Sequence, residues 1–151
     1  MIATQSFVSP EKWYSLQYPR TWEMEVVEGI PTFFDGISPY GGALQVFAIN
    51  LAGAVNEQAL RESPFLCGKD LPDKMARFLS KQGVSSERVQ YFERDRTDIA
   101  ACEYRNEGHF FLAMMAQRDT IFLLALYNCK GEPENEEAAA VGQMLQTLTI
   151  L

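Results

Sequence analysis

Apolar and polar residues alternate with period two along much of the chain, and that alternation predicts strands. In "WYSLQYP", residues 13–19, Tyr14, Leu16 and Tyr18 fall on one side and Trp13, Ser15 and Gln17 on the other. Pro19 stops this strand, because proline lacks the N–H that a ladder needs. "PRT" turns the chain into "WEMEVVEG", where Trp22, Met24 and Val26 alternate with Glu23, Glu25 and Val27. Gly29 ends that run. "TFFD" and "ALQVFAIN" follow, separated by the bend "GISPYGG".

The spacing then becomes helical. Asn56 is placed to cap a short helix over 57–62, and Pro64 ends the region. A stronger helix is predicted over 71–82. Asp70 is its N-cap, Pro72 lies in its first turn and Gly83 closes it. Leu71, Met75, Phe78 and Leu79 make one apolar stripe. Strands are predicted over 88–93, 97–106, 109–117 and 120–127, joined by the short polar turns Asp95-Arg96, Glu107-Gly108 and Arg118-Asp119. Connections this short force antiparallel neighbours, since a parallel crossover needs a dozen or more residues. A last helix is predicted over 133–147, with Pro133 in its first turn. Glu134, Glu136 and Glu137 suit the positive end of its dipole, and Ala138, Val141, Leu145 and Leu148 form its stripe.

Two of these strands break the alternation. "HFFLAMMAQ" and "TIFLLALYN" are apolar on both parities. A sheet with one wet face would alternate, so both faces of this one are covered. The two long helices take one face each, or share one and leave a groove on the other. The expected fold is α+β: an antiparallel sheet flanked by helices on its faces, in a single domain over 1–151.

Composition narrows the partners. The chain is 47% hydrophobic and 22% charged, which is globular and not disordered. Its formal charge of −7 repels nucleic acid and anionic lipid. The longest basic cluster, Arg94-Asp95-Arg96, is interrupted by an acid. Cys67, Cys102 and Cys129 are odd in number and form no CxxC pair, so reduced thiols in a cytoplasmic protein are expected. The start "MIATQSFVSPEK" lacks a basic, apolar leader pattern. The longest apolar runs, 110–116 and 121–127, fall far short of the ~20 residues of a membrane span.

Candidate chemistry is sparse. The Gly41-Gly42 bend leads into a strand and no lysine follows it, so it is no Walker loop. A hairpin bend is the expectation, with Tyr40 the residue there that could touch a partner. His109 is the sole histidine. With a Glu107-Gly108 turn, Asn106 pairs with His109 and Cys102 with Ala113. His109 and Cys102 then share a face but stand ~13 Å apart at ~3.3 Å per residue, too far for a nucleophile and its base. Cys67 and Cys129 have no evident partner. Glu23, Glu25 and Glu28 lack a calcium-loop pattern and read as a solvated strand face. Residues 132–137 read as helix N-terminal charge. Met114-Met115 beside Phe110-Phe111 read as core, with an adaptable binding surface as the alternative. No catalytic residue, metal ligand or cofactor is expected.

Phe7, Tyr14, Leu16, Tyr18, Pro19 and Trp22 resemble the opening "F…Y.i.YP.gW" of the PsbP-like superfamily. This group includes the photosystem PsbP proteins, Ran-binding Mog proteins, the lipoprotein DcrB and the Eag-type secretion chaperones. "TFFD", the bend and "ALQVFAIN" are similar to its next hairpin, and the later elements follow its order. The resemblance implies a sheet sandwiched by helices and a protein that binds other proteins without chemistry. It brings no metal site, because no histidines match. The expected function is a non-catalytic interaction module or chaperone-like adaptor with a protein partner. The alternatives are a small enzyme or ligand carrier with a sheet–helix pocket, using Cys67 or Cys102, and a homodimer formed through an apolar face.

Overall fold

The computed structural model describes residues 3–37, 41–52 and 57–151. The Asn56 cap and the Pro39-Tyr40 part of the bend lie outside the described residues. Strands β1 (Thr4–Val8), β2 (Tyr14–Pro19), β3 (Trp22–Val27), β4 (Ile30–Asp35) and β5 (Ala43–Asn50) come first. Helix α1 (Glu57–Glu62), a 3₁₀ turn (Pro64–Cys67) and helix α2 (Leu71–Lys81) follow. Then come β6 (Gln90–Arg94), β7 (Thr97–Asn106), β8 (His109–Arg118), β9 (Ile121–Lys130), helix α3 (Asn135–Thr147) and β10 (Thr149–Ile150).

The main sheet has seven strands in the order β3-β4-β5-β9-β8-β7-β6. All its pairs are antiparallel. It is two meanders, β3 to β5 and β6 to β9, joined where β5 meets β9. The segment from α1 to α2 crosses one face to connect them. Asp95 and Arg96 have φ of 49° and 64°, and Glu107 and Gly108 have 51° and 79°. Positive φ at both central residues marks two-residue turns whose twist matches the flanking strands. The final turn falls one residue later than its sequence suggests. Arg118 pairs with Ile121, so Asp119 and Thr120 make the bend, with Asp119 taking φ 52°. Aspartate tolerates that left-handed conformation better than arginine does.

Each face has its own core. The front face carries α3 and a small sheet in the order β1-β2-β10. Tyr14 and Leu16 of β2 and Val141, Met144 and Leu145 of α3 pack there on Phe33, Leu44, Leu123 and Tyr127. The back face carries the 3₁₀ turn and α2. Leu71, Met75, Phe78 and Leu79 pack there on Ala100, Ala113, Met115 and Phe122. The long helices thus take one face each. Met114 and Met115 are both buried, one in each core, so they are core residues and not an exposed binding surface.

Several local expectations change. β1 and β10 carried too little alternation to be read as strands; β2 organises both by pairing with them. Helix α1 ends at Glu62, ahead of Pro64 as expected, but Pro64 also opens a 3₁₀ turn that the sequence did not suggest, where proline's missing N–H costs nothing. Pro133 precedes the Glu134 N-cap of α3, so it lies outside the first turn. Ala138 is exposed, and the buried stripe is Ala140, Val141, Met144 and Leu145, because the helix begins two residues later than 133.

Candidate functional site: an open groove on the back face

Parity decides what the groove contains. Even positions of β9 and odd positions of β5 point to the back face, which brings Leu124, Leu126 and Phe47 onto one floor. Helix α2 packs on β7 and β8. The β4, β5 and β9 side of the back face therefore stays open beside it. Phe65 from the 3₁₀ turn and Phe78 from α2 form the wall, edge to face with ring centroids 5.4 Å apart. Phe65 also leans on Phe122, 6.0 Å away. The rim is polar: Gln45, Glu62, Ser63, Lys81 and Gln82 surround a cleft of about 280 Å³. Gln45 is held by an amide donation to Thr32 Oγ1 at 3.4 Å.

The 3₁₀ turn and α2 are fixed by short-range bonds. Asp70 caps α2 by accepting the Asp73 N–H at 2.9 Å, and Asp73 accepts the Lys69 N–H at 3.0 Å. That second bond holds the Asp73 carboxyl below its ordinary value. Gly68 lets the chain pass close over Lys74: a Cβ there would lie 2.7 Å from the Lys74 backbone nitrogen. Phe65 and Phe78 are thereby set on a rigid corner.

The residues weighed for chemistry are dispersed. The observed register pairs Asn106 with His109 and Cys102 with Ala113, as the turn required. His109 is exposed and Cys102 is buried. Burial raises the Cys102 thiol above its ordinary value, which disfavours the nucleophilic thiolate. Cys129 is buried in the front core and Cys67 is exposed at the end of the 3₁₀ turn. Glu23, Glu25 and Glu28 are exposed along β3 and the turn after it. No cluster of three or more potential metal-ligating side chains occurs among the described residues.

Two roles were not legible in the sequence. Gly42 is required for space and not for backbone conformation: a Cβ there would lie 2.2 Å from the Asn128 carbonyl oxygen. The glycine thus lets the backbone at position 42 lie against β9. Glu137 does more than meet a helix dipole. Its carboxylate accepts the Gly42 N–H at 2.9 Å and also accepts the Tyr127 hydroxyl. Burial and this carboxylate raise the Tyr127 phenol well above its ordinary value.

The opening aromatic pattern has a structural explanation as well. Phe7 and Tyr18 clasp Phe33 with centroids at 5.3 and 5.0 Å. Pro19 ends β2, and Trp22, 5% exposed, starts the main sheet. The motif is the seam between the two sheets.

A small sheet and a helix on the front, a helical corner on the back and a seven-stranded antiparallel sheet between them define a protein of the PsbP-like fold class. Cyanobacterial PsbP (CyanoP) from Synechocystis sp. PCC 6803 superposes with a TM-score of 0.60 and 13% identity, over 100% of this chain and 94% of that one. The Ran-binding protein Mog1p of Saccharomyces cerevisiae gives 0.55 and 7% identity, over 99% and 96%. A crystal structure from Bacteroides thetaiotaomicron VPI-5482 gives 0.58 and 17% identity; this chain is covered in full and spans 49% of that longer one. At these identities the likeness is one of fold. No protein-family model matches the chain, and no curated protein matches it.

Proposed function

We propose that the protein is a non-catalytic interaction module of one domain that docks a segment of another protein in the back-face groove. The observation that carries this reading is the groove's construction: an apolar floor of Phe47, Leu124 and Leu126, an aromatic wall and a polar rim. Such a trough fits a segment that offers a few large apolar side chains between polar ones. The rim carries both signs, Glu62 and Lys81, so it favours neither a strongly acidic nor a strongly basic ligand. The yeast structure of this fold is named for binding Ran, which gives the fold one precedent in protein recognition. The composition and thiol content suit a cytoplasmic protein, and no described helix is long and apolar enough to cross a membrane.

A peptide-display selection tests this directly. Peptides enriched on the wild-type protein should share spaced apolar anchors and should lose binding to Phe47→Glu, which puts a charge on the floor. Phe47 is only half-buried, so the variant should keep the wild-type circular dichroism. If the peptides bind the variant as well as the wild type, the groove is not the docking site. A small-ligand carrier would use the same floor, and it would enrich no peptide while still binding an apolar dye there.

A further inference from the structure

The two ends of the main sheet are built differently. The β3 edge exposes Glu23 and Glu25 beside Val26 and Val27, and its charges are all acidic, so two copies of it repel, whereas β6 carries Glu93 and Arg94 of opposite sign. The β6 edge reads Gln90-Tyr91-Phe92-Glu93-Arg94, and its first four residues are all exposed. Tyr91 is 47% exposed and Phe92 48% exposed, on opposite faces of one short strand. Among the described residues no strand lies on the outer side of β6.

Which β6 backbone groups face outward follows from its turn. The Asp95-Arg96 turn has two residues, both at positive φ, and closes on the pair Arg94 and Thr97. A two-residue hairpin of this type closes on a hydrogen-bonded pair. Alternation then makes Phe92 with Ile99 and Gln90 with Ala101 hydrogen-bonded pairs as well. Tyr91 and Glu93, in the intervening pairs, turn their N–H and C=O groups away from β7. They form a free edge ladder.

We propose that two copies of the chain pair β6 edge to edge about a twofold axis, with Phe92 facing the partner's Phe92. The twofold is perpendicular to the sheet, so both back faces lie on the same side. Hydrogen-bonded pairs must join outward-facing residues, which leaves three registers. Glu93 opposite the partner's Glu93 sets like charges face to face, in a row that already holds Asp98 opposite Glu93. Tyr91 opposite the partner's Tyr91 sets Phe92 opposite the partner's Gln90 and leaves it without an aromatic partner. It also needs the Val89 N–H, which already donates to the Ser86 carbonyl at 3.3 Å. The third register uses only β6 residues. Tyr91 exchanges both backbone bonds with the partner's Glu93, and the reciprocal pair does the same. Gln90 lies opposite the partner's Arg94, whose charge is already held at the end of α3 by the Leu148 carbonyl at 2.7 Å. Phe92 becomes the close, non-hydrogen-bonded pair on the axis, with Cα atoms about 4.5 Å apart, a position where aromatic cross-strand pairs stabilise a sheet.

Light scattering and cysteine pairing test the dimer and its register. Wild-type protein at about 100 μM, well above a micromolar Kd, should scatter as twice its 17.1 kDa, and Phe92→Lys should scatter as the monomer. In a Cys67→Ser background, Phe92→Cys should form an interchain disulfide under mild oxidation. Tyr91→Cys should not, because its diagonal separation of about 7–8 Å exceeds disulfide reach. Monomeric wild type overturns the proposal. So does a Phe92→Lys protein that remains dimeric, or a dimer in which Tyr91→Cys crosslinks and Phe92→Cys does not.

Discussion

The Glu137 carboxylate on α3 accepts the hydroxyl of Tyr127 on β9, and in the same grip it holds the Gly42 N–H at 2.9 Å. A helix, a central strand and the residue just before β5 are tied at one point. Truncating either side should therefore have unequal effects. Glu137→Ala leaves a buried phenol and a backbone donor without their acceptor, at a cost of about 1–3 kcal/mol. Tyr127→Phe removes one donor while Gly42 keeps its acceptor, and should cost about 1 kcal/mol. Urea denaturation would show the order: a lower midpoint for Glu137→Ala than for Tyr127→Phe, with unchanged slopes.

Gly42 offers a second test through sterics alone. An added methyl would meet the Asn128 carbonyl oxygen at 2.2 Å and the Cys129 Cβ at 2.7 Å. Backbone must shift, so Gly42→Ala should destabilise by about 1–3 kcal/mol. Gly29→Ala meets open space but must hold φ +82°, and should cost about 1 kcal/mol. Similar thermal midpoints for Gly42→Ala and the wild type would contradict the close approach.

Lys74 makes stability depend on pH. It is 4% exposed, and its ammonium donates to Gln117 Oε1 at 3.1 Å. Burial holds its pKa below the ordinary lysine value, against the pull of Asp70 and Asp73. Between the folded and unfolded values the unfolded chain binds more protons, so stability rises with pH. The burden is complete below the folded pKa and gone above the unfolded one. The buried tyrosines act with the opposite sign. Burial pushes Tyr104 up to about 12 and raises Tyr14 and Tyr127 as well. Their contribution is lost as pH climbs past the ordinary tyrosine value of about 10. Comparison with Lys74→Met isolates the lysine. The variant should equal or exceed the wild type in stability at neutral pH, and its advantage should shrink toward alkaline pH. An advantage that grows with pH would refute the assignment.

Arg94 reaches from β6 to the end of α3, donating to the Leu148 carbonyl at 2.7 Å and the Leu145 carbonyl at 3.4 Å. A cation there also meets the negative end of the helix dipole. Arg94→Met should cost about 1–2 kcal/mol. Hydrogen exchange should speed up first in the last turn of α3 and in β10, and unchanged protection there would show that the cap is idle.

The expectations that succeeded came from local chemistry. Asp95-Arg96 and Glu107-Gly108 were legible as turns because short polar pairs between apolar runs leave the chain few alternatives. The register that separates His109 from Cys102 followed from one of them. The stripe of α2 was read residue by residue. The α3 stripe was misread at Ala138 because Pro133 and the glutamates after it blur where the helix starts. β1 was missed because "TQSFV" is a strand only while β2 lies beside it.

From its sequence alone, the chain determines the Asp95-Arg96 and Glu107-Gly108 turns, the antiparallel pairing of β6 to β9 and the covering of both sheet faces, since each of these depends on neighbours a few residues apart. Only the tertiary structure decides that α2 leaves the β5 and β9 side of the back face open, that Gly42 is pressed against β9, and that Glu137 closes on Tyr127. Those outcomes depend on how wide a helix is relative to the sheet it crosses and on which atoms meet across long loops. Such distances belong to the packed chain, and no periodicity in the residues encodes them.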